Sequence, residues 1–89
     1  MISETDKTII RECAENYQAA AVYLFGSALR ADTEPHDLDV GVKGLKPDVF
    51  FRFYGELMKR LSKPVDVVDL SEDSPFGEMV EKEGVHIYG

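Results

Sequence analysis

Two short stretches of this 89-residue chain carry residue types that do chemistry together. The first is Gly26-Ser27, which ends the apolar run Tyr23-Leu24-Phe25. Small residues at the end of a strand leave backbone N–H groups able to face an anion. The second is His36-Asp37-Leu38-Asp39-Val40, whose two carboxylates stand two apart, so on a strand they point to one face. Nine residues separate Ser27 from Asp37. A phosphate cradle beside paired carboxylates is the minimum equipment for chemistry on a nucleoside triphosphate.

Asp37 and Asp39 should lie roughly 7 Å apart along a strand. At an effective dielectric of about 20 they repel by about 2 kcal/mol. A third carboxylate from the run Val65-Asp66-Val67-Val68-Asp69-Leu70 would add to that, so the cluster calls for a cation. Oxygen-only donors, with no Cys or His set for zinc, favour Mg²⁺ or Mn²⁺. Two such ions about 4 Å apart would clamp an in-line displacement at phosphorus. Asp66 sits deep in its strand, where a charge needs a reason, whereas Asp69 lies near the end. Asp66 is therefore preferred as the third ligand, with Asp69 as the alternative.

These residues need elements to hold them. Residues 4 to 18 have helical spacing at Ile9, Ile10, Cys13 and Tyr17, with Ser3 as N-cap. Ala20 to Phe25 is a short buried strand, and Ser27 to about Ala31 one or two helical turns. Asp32-Thr33-Glu34-Pro35 forms a loop. Residues 37 to 42 alternate, with Leu38, Val40 and Val42 on the core face, and Gly41 leaving room on the other for something to approach the backbone. Residues 48 to 62 form the strongest helix, with Phe50, Phe53, Tyr54, Leu57 and Leu61 in one stripe and Pro47 at its start. Phe51 and Met58 fall on its flank, joining the core edge or forming a docking patch. Pro64 precedes a third strand, residues 65 to 70. A helix from Pro75 to about Glu83 uses Phe76, Met79 and Val80 and stops at Gly84; residues 85 to 88 make a last strand. The expected architecture is α/β, one small sheet with helices packed mainly on one face.

Composition narrows the function. With 44% hydrophobic residues the chain can build one modest core. The start, Met1-Ile2-Ser3-Glu4-Thr5-Asp6, is polar and acidic, unlike a signal peptide, and no apolar run reaches the length of a membrane span. A lone cysteine, Cys13, fits a reducing cytoplasm and a buried thiol. The net charge of −7, from 17 acidic and 10 basic residues, disfavours direct nucleic-acid binding.

Gly-Ser and Asp-x-Asp are each common; their order, with a helix and then a strand carrying a central Asp, is far more specific. The stretches Leu24-Phe25-Gly26-Ser27, Asp37-Leu38-Asp39-Val40, Pro64-Val65-Asp66-Val67-Val68-Asp69-Leu70 and Glu83-Gly84-Val85-His86-Ile87-Tyr88 resemble the DNA polymerase beta superfamily of nucleotidyltransferases. Within it the chain is most similar to the minimal nucleotidyltransferase (MNT) family. That resemblance implies one minimal nucleotidyltransferase domain over residues 1–89, a small mixed sheet, and Mg²⁺-dependent transfer of a nucleotide. Gly26 and Ser27 would hold the triphosphate of ATP or another NTP. Asp37 and Asp39 would ligate two Mg²⁺ ions, and Asp66 would ligate the ion at the acceptor hydroxyl. Arg30 is either a contact to the leaving phosphates or a solvated cation. Two positions depart from the family pattern: Ala31 often aligns with Gly, and His36 with Ser. Neither change removes a ligand.

In this family proteins of similar size pair with HEPN-domain toxins, as antitoxins that transfer AMP onto a toxin tyrosine. The resemblance therefore implies a HEPN toxin as acceptor, and a cytoplasmic protein whose oligomeric state stays open. Two other readings are a non-catalytic antitoxin acting by contact alone, and nucleotide transfer to RNA or a small molecule. The retained carboxylates speak against the former. The acidic balance and the lack of an acceptor-binding domain speak against the latter.

Overall fold

A computed structural model describes residues 2–29 and 36–89, with the side chains of residues 27 and 28 outside the description. The described elements run α1 (Glu4–Asn16), β1 (Ala21–Phe25), a 3-10 turn (Gly26–Leu29), β2 (Leu38–Lys43), α2 (Pro47–Arg60), β3 (Val65–Asp69), α3 (Pro75–Glu83) and β4 (Val85–Tyr88). The strands form one mixed sheet in the order β3-β2-β1-β4. β1 pairs antiparallel with both β2 and β4, and β2 pairs parallel with β3. The helix α2 supplies the crossover that a parallel pair requires.

The helix ends follow the local chemistry. Ser3 Oγ accepts from the Asp6 N–H at 3.1 Å, and Ser74 Oγ from the Gly77 N–H at 2.9 Å. Pro47 and Pro75 open α2 and α3, where a missing N–H costs nothing. Asp6, only 3% exposed, turns its carboxylate to the end of α2 and accepts from Ser62 N–H at 3.2 Å and Ser62 Oγ at 2.6 Å. A buried acid is tolerated here because both bonds satisfy it.

The core lies on one face of the sheet. Val22 and Leu24 of β1, Leu38, Val40 and Val42 of β2, Val65 and Val67 of β3 and Ile87 of β4 pack against Ile10, Cys13 and Ala14 of α1 and Phe53 and Leu57 of α2. Cys13 is fully buried, and burial pushes its thiol pKa up despite the nearby Arg60 guanidinium. Phe51 and Met58 do not join the core edge: they are 71% and 65% exposed, because α1 covers only the central stripe of α2.

The third helix takes the opposite face. An added Cβ at Gly41 would overlap Leu70 Cδ1, lie 3.1 Å from Leu70 Cγ and 3.6 Å from Val80 Cγ1. The space at Gly41 is thus taken by Leu70, after β3, and by α3 itself. Lys43, on the same face as Gly41, forms an ion pair with Glu81 of α3, and the Phe25 and Phe76 rings meet edge to face at 5.6 Å. Two helices therefore cover one face, while α3 crosses the other and leaves part of it open.

Candidate active site

The site is built at one end of that second face. The register aligns Phe25 of β1 with Asp39 of β2, and Asp39 with Asp66 of β3, in a single row across three strands. Registered neighbours point to the same side of a sheet, so Asp39 and Asp66 stand side by side. Asp69 pairs with Val42 on the core-side parity, and its carboxylate accepts from the Ser71 N–H at 2.9 Å. Asp66 is exposed, because β3 is an edge strand, so the expectation that its charge is deep does not hold. Face, not depth, separates Asp66 from Asp69.

Asp37 lies one residue before β2 and is exposed, as is His36. The strand begins a residue later than expected because its partner begins at Val65. The Leu38 N–H bonds to the Pro64 carbonyl at 2.9 Å, and Pro64 has no N–H with which to extend the ladder.

Gly26 is where the first motif meets the second. Its φ of +64° is left-handed, and a Cβ there would overlap Asp39 Oδ2 and lie 3.3 Å from Asp39 Cγ. The Asp39 carboxylate occupies the space that glycine leaves, so the turn and the carboxylate strand are in contact. Only glycine meets both demands without strain. Ser27 lies in the same turn with its side chain outside the described residues, and Arg30, Ala31 and the 32–35 loop lie outside them entirely.

Among the described residues no three His, Cys, Asp or Glu groups come close enough to hold a metal ion, so Asp37, Asp39 and Asp66 are not gathered into one coordination sphere. The donor chemistry nevertheless fits a hard divalent cation: Asp39 and Asp66 offer oxygen donors side by side, and Asp37 precedes Asp39 by two residues.

The match to known proteins decides the family. The "Polymerase beta, Nucleotidyltransferase" family model matches residues 7–89. The chain belongs to this nucleotidyltransferase family. No curated protein sequence matches it significantly. Among solved structures, a toxin–antitoxin structure with AMP-PNP superposes with a TM-score of 0.75 at 22% identity, covering 93% of this chain and 73% of that one. A Shewanella oneidensis complex of tri-AMPylated HEPN toxin with MNT antitoxin gives 0.71 at 22% identity, over 94% and 70% of the two chains. The MntA–HepT toxin–antitoxin structure gives 0.72 at 20% identity, over 98% and 73%. The nucleotidyltransferase fold is therefore that of the MNT antitoxins.

The geometry also reveals residues that sequence patterns did not single out as functional. A cleft of about 320 Å³ opens between the 3-10 turn and α3, with Gly26 in its wall and Leu29, Met79 and Glu83 around it. Met79 carried a signal only as an apolar position of a helix, and Glu83 only as the first residue of the family-like stretch that runs into the last strand. No described helix is long and apolar enough to cross a membrane.

Proposed function

We propose that this chain is a Mg²⁺-dependent adenylyltransferase, with residues 1–89 as its minimal nucleotidyltransferase domain, which modifies a tyrosine hydroxyl of a HEPN toxin and so acts as a cytoplasmic antitoxin. The observation that carries the reading is the row of Asp39 and Asp66 against Gly26, in a chain of this family. The likeness to MNT antitoxins, one beside a tri-AMPylated toxin, supports the choice of acceptor.

In this mechanism the Gly26-Ser27 turn holds the triphosphate of ATP, and Arg30 lies a short way along the chain to meet the leaving phosphates. Asp37, Asp39 and Asp66 would hold Mg²⁺, which when bound offsets charge on the phosphates and lowers the pKa of the acceptor hydroxyl. Asp66 accepts the proton of the tyrosine hydroxyl. That oxygen attacks the α-phosphorus, the bond from the α-phosphorus to its bridging oxygen breaks, and pyrophosphate leaves. Asp39, fixed by contact with Gly26, keeps the α-phosphate in line. Phe51 and Met58, seven residues apart on α2, supply an apolar surface for docking the toxin.

The test is incubation with ATP labelled at the α-phosphate, Mg²⁺ and a HEPN protein encoded beside it. Wild type should transfer label to the partner, and the Asp37→Asn/Asp39→Asn variant should not. Inhibition of the partner that survives in the double variant, with no label transferred, would instead establish neutralisation by contact alone.

A further inference from the structure

The two edges of the sheet are finished differently. At β4, Arg11 of α1 donates through Nε to the Ile87 carbonyl at 2.9 Å, so a side chain already occupies part of that edge strand. At β3 the pairing uses only every second residue. The Leu38 N–H bonds to the Pro64 carbonyl at 2.9 Å, and the Leu70 N–H to the Val42 carbonyl at 2.8 Å. With the parallel register between them, these two bonds fix the alternation. Asp66 and Val68 turn their backbone groups to β2, and Val65 and Val67 turn theirs outward. Among the described residues no strand pairs with those outward groups. A row of unpaired N–H and C=O groups is a template for another extended chain.

Charge decides against a second copy of this chain as the occupant. Asp66 and Asp69 both lie in β3, and the net charge is −7, so two such edges repel. The register shows what a foreign strand would gain. Phe25, Asp39 and Asp66 stand in one row, and a strand added about 4.8 Å beyond β3 extends that row by one residue on the same face. That place belongs to the acceptor, because Asp66 is the group given the hydroxyl proton. The two chain neighbours of that residue point to the other face, and one of them registers with Val65. There Val65, Pro64, Leu61 and Met58 line a recess of about 390 Å³, which suits an apolar side chain.

We propose that the acceptor protein is taken as an extended strand on the open edge of β3, with its modified tyrosine beside Asp66 and an adjacent apolar residue in the recess at Val65. The proposal rests on the adenylyl-transfer reading above. The tyrosine oxygen bonds to the α-phosphorus, its proton passes to Asp66, and pyrophosphate leaves with the electron pair of the broken bond.

The experiment follows amide hydrogen exchange by NMR in the isotope-labelled chain, alone and saturated with the HEPN protein encoded beside it. The Val65 and Val67 amides should exchange fast in the free chain and about tenfold or more slowly in the complex. The Asp66 and Val68 amides, already bonded to β2, should change less. Label transfer from ATP is measured on the same pair. Met58→Ala, at an exposed position, should raise KM for the partner about tenfold and leave kcat unchanged. An unchanged KM overturns the place given to the apolar neighbour. Transfer with Val65 and Val67 still exchanging freely in the complex overturns the added strand and leaves the transferase reading intact. Protection that appears when the chain is concentrated without partner assigns the edge to a second copy and also overturns it. Absence of both transfer and protection overturns both readings.

Discussion

Replacing Gly26 by alanine separates what this residue does for the backbone from what it does for the site. At φ +64° an L-residue pays the left-handed penalty, about 1–2 kcal/mol. The new methyl also overlaps Asp39 Oδ2. That oxygen is the end of a side chain, so the overlap is relieved by rotating the carboxylate rather than by moving strands. The stability loss should therefore stay near about 1–2 kcal/mol, a fall in Tm of roughly 5–10 °C for a domain of this size. Activity should suffer far more: a reacting group displaced by about 1 Å can cost about 10²-fold. Thermal unfolding followed by circular dichroism gives the first quantity, and label transfer from ATP gives the second. Repeating the substitution in an Asp39→Ala background adds a check. If the carboxylate simply swings away, the Gly26→Ala cost is the same in both backgrounds to within about 0.5 kcal/mol. A Tm loss that shrinks markedly in the Asp39→Ala background would show that the carboxylate is locked in place. Undiminished transfer by Gly26→Ala would refute the claim that this contact sets the position of Asp39.

Gln18 offers the same backbone physics with the opposite sign: it sits just past the end of α1 at φ 59°, so Gln18→Gly should raise stability by about 1 kcal/mol in urea titrations. Gly41→Ala should cost about 1–3 kcal/mol by the same measure, because its methyl overlaps Leu70 Cδ1 and lies 3.1 Å from Leu70 Cγ, so this buried side chain must leave its place. Asp6→Ala removes the buried carboxylate that accepts from the Ser62 N–H and hydroxyl; Ser62 is exposed and water can take over its donors, so the change should cost about 0.5–1.5 kcal/mol by chemical denaturation. Burial raises the Cys13 thiol above its ordinary 9.0, so the native state holds this proton more tightly than the unfolded chain does. That contribution is whole below pH 9.0 and is lost as pH rises through the native value. Cys13→Ala should accordingly show a shallower alkaline fall in Tm than wild type.

Most of the element order was legible because each segment carried its own punctuation. Ser3, Pro47, Pro64, Pro75 and Gly84 mark ends through local chemistry that tertiary contacts did not override. The core-facing set Leu38, Val40 and Val42 followed from alternation alone. The proposed third carboxylate was harder to choose, because both Asp66 and Asp69 sit in a five-residue strand whose hydrophobic residues fall on both faces. Only pairing with β2 tells which face meets Asp39, and a pairing partner is not a local property. The flank residues Phe51 and Met58 misled for a related reason: helical periodicity gives an angle around α2 but not how far α1 reaches over it.

The placement of α3 was the least visible feature and has the largest consequence for the site. Its apolar positions Phe76, Met79 and Val80 announce a helix with one buried side, and nothing in their spacing says which face of the sheet receives it. Gly41 held the answer in an ambiguous form. A residue without a side chain on the second face admits either a ligand or a helix, and Leu70 and Val80 fill that space. Once α3 lies there, the second face is divided. Its upper part is closed by the Gly41 packing and the Lys43–Glu81 pair, and the row of Phe25, Asp39 and Asp66 borders what remains. The helix that covers part of the face thereby supplies a wall to what remains. A nine-residue helix ending in Glu83 thus does two jobs for a small sheet: it completes the packing, and it bounds the cleft beside Gly26.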